Sequence, residues 1–152
     1  MTLTEMCGAI IKAEEGFRSK PYYCSEGYPT VGYGKVIGSK GDPLPNIEVN
    51  QNAEGAWLFT EINKVIGLVS NRHHVAWSKC NDARRAILVS MCYQLGLTGM
   101  SNFKMMLSSI CEEDFNSAAL HMLDSRWNKQ TPNRAARHAE QMQAGKMMRY
   151  YL

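Results

Sequence analysis

Apolar positions recur at helical spacing from the start of the chain. Leu3, Met6, Cys7, Ile10 and Ala13 mark one face, Thr2 with Glu5 makes a capping-box pattern, and Gly16 supplies a stop. From 17 to 36 the period shortens. Tyr22, Tyr23, Tyr28, Val31 and Tyr33 favour extended backbone, Ser25-Glu26-Gly27 signals a turn, and Gly32 and Gly34 punctuate the return. That pattern predicts a small antiparallel hairpin or three-strand sheet. Residues 38–45 have no periodicity and read as a loop.

Asn50 then caps a predicted long helix over 51–70, which carries Ala53, Ala56, Trp57, Thr60, Val65 and Leu68. His73 and His74 follow on a predicted loop, with no set of metal-ligand partners around them. The rest reads as helical. Asn81 caps a segment over 82–95 closed by Gly96, two short helices follow over 103–110 and 115–123, and Ser125-Arg126-Trp127 forms a further turn. Thr131-Pro132 starts a helix that Gly145 stops. Met91, Met105, Met106, Met122 and Met142 are expected in the core. The basic, aromatic residues 146–152 are expected to pack back on the domain. The prediction is an α+β, mostly helical single domain over 1–152: a small antiparallel β lobe (15–50), a connecting helix (51–70) and a helical lobe (71–152) on which the first helix (1–14) packs. A cleft between two such lobes is where a ligand would bind.

Composition narrows the class. A chain of 152 residues, 45% hydrophobic, can bury one real core. The five cysteines have no close pair and no metal-type spacing, so they read as small core residues of a protein made in a reducing compartment. A net charge of +3 is too small and too dispersed for a nucleic-acid surface, and it suits an anionic polymer better. No apolar run approaches the roughly 20 residues of a membrane span, and no secretory leader is visible at the N-terminus. No cofactor or metal is implied.

Candidate chemistry gathers between Glu15 and Gly34. Glu15 lies in the last turn of the first helix, near its partially negative end, a setting that favours the proton-carrying form a general acid needs. Two Gly-, Pro- and Tyr-rich turns after it carry Cys24 and Thr30.

These residues resemble the phage-type lysozymes of glycoside hydrolase family 24. The family spaces a Glu, eight residues, an Asp, five residues and a Thr, inside an Asp-x-Glu-Gly-Tyr-x-Thr-x-Gly-x-Gly run. Here Glu15 is followed by Cys24-Ser-Glu-Gly-Tyr-Pro-Thr30-Val-Gly-Tyr-Gly34. The segments Tyr93-Gln-Leu-Gly-Leu-Thr-Gly and Ser125-Arg-Trp-Asn-Lys-Gln-Thr-Pro-Asn-Arg-Ala135 are similar to the family's two most recognisable helical stretches. The resemblance implies that Glu15 is the general acid for the β-1,4 bond of bacterial peptidoglycan, that Thr30 holds the attacking water, and that Arg134 reaches across to orient Glu15. It places Glu26, Lys35, Val36, Tyr93, Met106 and His121 along the saccharide cleft. It also implies a monomeric endolysin made in the host cytoplasm and acting on the periplasmic wall, without stable membrane insertion, after a separate phage protein has permeabilised the membrane.

Two positions depart from the family. Lys35 stands where a histidine is usual, and Cys24 stands where the catalytic aspartate is usual. A free aspartate titrates near about 3.9 and a free thiol near about 8.5, so the change alters the base at neutral pH. Three readings remain. Cys24 is a thiolate base or nucleophile, assisted by Lys35 or another cation; or it is neutral while Thr30 and Glu26 position water; or turnover is weakened. The rivals are a saccharide-binding module that has lost catalysis and a cysteine amidase using Cys24 with one of His73, His74, His121 or His138.

Overall fold

The computed structural model describes residues 1–152. Helix α1 (Leu3–Glu15) begins with the expected reciprocal cap: the Glu5 N–H donates to Thr2 Oγ1 at 3.1 Å, and the Thr2 N–H donates to Glu5 Oε2 at 2.8 Å. Its face of Cys7, Ile10 and Ile11 is fully buried, packed against later helices. Gly16, at φ +65°, ends the helix with its N–H on the Lys12 carbonyl. Glu15 is left in the last turn, with its side chain 20% exposed.

Strands β1 (Arg18–Tyr23), β2 (Pro29–Gly32) and β3 (Lys35–Val36) follow as one antiparallel sheet in the order β1-β2-β3. Of the two arrangements expected, the three-strand sheet forms. Thr30 sits at its centre, opposite Tyr22 on one side and Val36 on the other.

Helix α2 (Gln51–Arg72) joins the sheet to the helical lobe. Asn50 Oδ1 accepts the N–H groups of Asn52 and Ala53 at 2.9 and 3.2 Å, as an N-cap should. The helix runs two residues past the expected end, and its buried face differs from the expected set. Glu54, Leu58, Ile62, Val65 and Val69 are buried, whereas Ala53, Ala56, Thr60 and Leu68 are exposed. The buried row starts at Glu54, a carboxylate absent from the expected set. It is tolerated inside because Lys35 brings a counter-charge to it.

The loop expected at His73-His74 is a single break at His73. Helix α3 (His74–Lys79) starts at once, because no Gly or Pro interrupts it, and His73 Nε2 bonds Ser101 Oγ at 2.7 Å. Helix α4 (Asp82–Ser101) is capped by Asn81, whose Oδ1 accepts the Arg84 N–H at 3.1 Å. Gly96 breaks it at φ +76° as expected, but helical backbone resumes beyond the kink to Ser101. Then come α5 (Lys104–Cys111), α6 (Phe115–Leu123), α7 (Arg126–Gln130) and α8 (Pro132–Ala144), with Gly145 in the left-handed region closing α8. Thr131 does not cap α8 with its side chain; its hydroxyl donates back to the Trp127 carbonyl at 3.1 Å.

The core lies mostly in the helical lobe, where Ile87, Leu88, Met91, Met100, Met106, Ile110, Met122 and Met142 are fully buried. Each such side chain stabilises the fold by about 1.5–3 kcal/mol. Met105 is the exception among the expected core methionines, at 62% exposed. Successive helical residues lie about 100° apart, and α5 is covered on one side, so Met106 faces the core while Met105 turns to solvent. A closing 3-10 turn (Arg149–Tyr151) brings Tyr151 back into the core.

All five thiols are free. Burial pushes those of Cys7, Cys80 and Cys92 up to about 12, about 11 and about 11 respectively, as core cysteines should behave. Cys24 and Cys111 are half-buried. No helix is long and apolar enough to cross a membrane.

Candidate active site

Glu15 meets Arg134, which enters from the first turn of α8. Arg134 Nη1 donates to Glu15 Oε1 at 2.7 Å, with side-chain exposures of 9% and 20%. The guanidinium is held from behind by α4, through Nη2 to Ser90 Oγ at 3.1 Å and to the Ser90 carbonyl at 3.4 Å. Its buried Nε has no protein partner, so Glu15 and Ser90 alone fix its orientation.

Beneath the carboxylate lies the Tyr33-Gly34 turn. Gly34 has φ +76°, and a Cβ there would lie 2.6 Å from Glu15 Oε2, so only a glycine lets the acid settle against this backbone. The turn is held from several sides. The Tyr93 hydroxyl of α4 donates to the Tyr33 carbonyl, the Gln51 amide donates to the Tyr33 hydroxyl at 3.0 Å, and Phe17 packs on the Tyr33 ring at 5.2 Å. Burial, followed by the charge of Glu15, drives the Tyr93 phenol well above its ordinary range, so it stays a donor.

Cys24 and Thr30 are organised by the backbone of one residue, Tyr28. The Cys24 N–H donates to the Tyr28 carbonyl at 2.9 Å, and the Tyr28 N–H donates to Cys24 Sγ at 3.4 Å. Gly27, at φ +84°, closes the turn between them. The buried Thr30 hydroxyl donates to the same Tyr28 carbonyl at 2.8 Å. Its hydrogen is thereby engaged, and its free lone pair can only accept.

Tyr22 belongs to this group and was missed by sequence reasoning. Desolvation raises its phenol first, and then the neighbouring Glu15 carboxylate, with Cys24 adding to the shift. Its position opposite Thr30 in the β1–β2 register is the signal that would have found it. Gly34 and Ser90 were likewise not singled out, because their roles arise only from close approach in space.

The six residues placed along the saccharide cleft have different surroundings. Glu26 is exposed at the 24–28 turn, and Val36 is 56% exposed on β3. Lys35 was expected as a cation that assists the Cys24 thiol. Its ammonium instead bonds the buried Glu54 at 3.2 Å and lies 4.9 Å over the Trp57 ring, because α2 offers it a carboxylate and an aromatic face together. Tyr93 touches the Glu15 platform through Tyr33. Met106 and His121 help to line a cavity of about 530 Å³ between the end of α4 and α5–α7, whose walls include Phe103, Arg126 and Trp127. Glu15, Cys24, Thr30 and Arg134 are not among its walls. Trp127 Nε1 donates to Gln94 Oε1 at 2.9 Å, which ties this cavity to the residue next to Tyr93. No cluster of three or more His, Cys, Asp or Glu side chains could hold a metal ion.

A mostly helical α+β fold with a carboxylic acid, a cross-lobe arginine and a Gly-Tyr-Gly turn defines a class, and the comparisons agree with it. Residues 12–144 match the phage lysozyme family, and the chain belongs to it. It is 26% identical to the pre-baseplate central spike protein Gp5 of Enterobacteria phage T4 over 90% of its own length, but spans only 27% of that protein. It is 24% and 25% identical to probable T4-type lysozymes 1 and 2 of Dictyostelium discoideum, over 93% of this chain and 95% of each relative. The membership makes it a lysozyme-like protein of the peptidoglycan-hydrolase class.

Proposed function

We propose that the chain hydrolyses the β-1,4 bond between N-acetylmuramic acid and N-acetylglucosamine in bacterial peptidoglycan. The observation that carries this reading is the 2.7 Å contact between Arg134 of the helical lobe and Glu15 at the edge of the β lobe. Arg134 donates to Oε1, which leaves Oε2 as the oxygen able to carry a proton to the glycosidic oxygen. As the C1–O bond breaks, the leaving sugar takes that proton and Glu15 is left as a carboxylate. A water adds to C1 and must lose a proton to a base on the opposite face.

Thr30 suits the water-holding role. Because its own hydrogen is given to Tyr28, its oxygen accepts one water hydrogen and turns the other outward. Cys24, tied to the same residue through the Tyr28 N–H, is the group that would take that second hydrogen as a thiolate. Glu26, Lys35, Val36, Tyr93 and His121 are the side chains proposed to contact the glycan, whereas Met106, 1% exposed, belongs to the core. The biological setting that follows is an endolysin. It would act as a monomer, accumulate in the host cytoplasm and reach the periplasmic wall once a separate phage protein has opened the membrane.

Turbidity clearing of permeabilised Gram-negative cells by wild type, Glu15→Gln and Cys24→Ser tests the assignment. Loss of general acid catalysis lowers Glu15→Gln activity by about 10²–10⁴-fold. A fully active Glu15→Gln protein overturns the reading. The anomer of the first product, followed by NMR, assigns Cys24: inversion marks a base, and retention marks a thioglycosyl nucleophile. Unchanged lysis by Cys24→Ala removes Cys24 from both roles. New free amines in place of reducing ends would turn the reading to an amidase.

A further inference from the structure

Behind the acid pair lies a buried polar chain that the proposed mechanism does not use. His138 of α8 is fully buried among Trp127, Tyr151, Ser90 and Glu14. One arrangement of its hydrogens satisfies every one of these partners. Arg137 forks onto Glu14, with Nη2 at 2.6 Å and Nε at 3.1 Å from Oε1, and this carboxylate can only accept. The Tyr151 hydroxyl donates to Glu14 Oε2 at 2.8 Å, and in that arrangement its oxygen receives the hydrogen of His138 Nδ1, 3.0 Å away, with Glu14 Oε2 itself 3.5 Å from Nδ1. His138 Nε2 is then bare and accepts from Ser90 Oγ at 2.7 Å. With its hydrogen turned towards His138, Ser90 Oγ presents lone pairs to Arg134 Nη2 at 3.1 Å. Every link runs in one direction, from Arg134 to Glu14.

We propose that His138 is a positioning residue for the reaction: through the Ser90 hydroxyl it fixes Arg134, and through Arg134 it fixes the carboxyl of the general acid Glu15. This rests on the hydrolase reading above. The reason lies in Arg134 itself, whose Nε has no partner. Two directions fix the planar guanidinium, Glu15 in front and Ser90 behind. A serine hydroxyl is a free rotor, and without an acceptor at His138 it can turn its hydrogen towards Arg134 or back to its own helix. The rear support is then lost, and the acid is held less well in the geometry that the transition state requires. Burial and the two arginines on α8 keep the imidazole neutral, as the chain of donors requires.

The test uses kinetics on soluble peptidoglycan fragments with wild type, Ser90→Ala, His138→Leu, His138→Gln and the Ser90→Ala/His138→Leu double variant, with thermal midpoints alongside. Leucine fills the imidazole volume without an acceptor, and the glutamine carbonyl can receive the Ser90 hydrogen. Ser90→Ala and His138→Leu should each lower kcat about five-fold with KM within about two-fold, and the double variant should be no worse than either. His138→Gln should recover kcat to within about two-fold of wild type even where its thermal midpoint stays low.

Full kcat in folded Ser90→Ala or His138→Leu protein overturns the proposal, as does a double variant whose losses multiply. If His138→Leu does not fold, Ser90→Ala and His138→Gln decide the matter by the same criteria. An inactive Glu15→Gln beside a fully active Ser90→Ala sinks only this inference, whereas a fully active Glu15→Gln sinks the hydrolase reading beneath it.

Discussion

Gly34 and Glu15 are in such close approach that a single methyl group would come within 2.6 Å of the carboxylate oxygen Oε2. The acid is therefore positioned by backbone as well as by Arg134. The turn that supports it comes from the β lobe, while its charge partner comes from the helical lobe. The two lobes thus define one side chain between them.

Gly34→Ala should therefore damage catalysis more than folding. The φ of +76° costs an alanine about 1–2 kcal/mol, and the clash moves the acid, so lysis should fall by about 10²-fold or more. Initial clearing rates compared with denaturation midpoints check this. Wild-type lysis from a measurably destabilised Gly34→Ala protein would show that the approach is not critical.

The Lys35–Glu54 pair makes a prediction about stability. Glu54 is 5% exposed, and Lys35 covers it from the partly open side. Lys35→Met strands the carboxylate in the interior and should cost about 2 kcal/mol, below the roughly 3–5 kcal/mol of a fully buried pair because Lys35 is partly solvated. Adding Glu54→Gln should return most of that loss, as a double-mutant cycle by urea denaturation would read.

Thiol accessibility should divide the cysteines into two groups. In native protein a thiol reagent should modify only Cys24 and Cys111, since Cys7, Cys80 and Cys92 are each 4% exposed or less. Mass spectrometry after brief labelling checks the count, and denaturant should release the other three. In a Cys111→Ser background, labelling of Cys24 should abolish lysis.

The stability of the protein should fall on the acid side of neutrality. Burial holds the His138 imidazole well below its ordinary range, with Arg134 and Arg137 adding to the effect, while Glu14 and Tyr151 face the same ring. The unfolded chain then takes up a proton near about pH 6.5 that the folded chain refuses, so stability is complete above that pH and declines as pH drops below it. Urea midpoints at about pH 7.5 and about pH 5 should differ, and less so in His138→Leu. Some slope should survive, because burial lowers His73 as well. Equal wild-type midpoints would contradict the assignment.

Much of the architecture was readable from local signals. The Thr2–Glu5 cap, Asn50, Asn81 and the glycines at 16, 96 and 145 act within a few residues of themselves, and all appear where pattern predicts. Glu15, Cys24 and Thr30 could be nominated for the same reason, since a short run of turns and strands carries them. The misjudgements have a common cause. Met105 and the α2 face were read without knowing which direction the core lay, and Glu54 was not singled out because its partner Lys35 is 19 residues away.

Local chemistry along the chain was thus enough to define the helices, the small sheet and the candidate acid, because caps, turns and apolar spacing are short-range effects. Tertiary packing alone decided which oxygen of Glu15 is left unbonded by Arg134, that Gly34 lies under it, that Lys35 turns to Glu54, and that His138 is linked through Ser90 to Arg134. These are contacts between distant parts of the chain, set by angstrom-scale distances and by which hydrogen bonds remain to be made once the helices are packed.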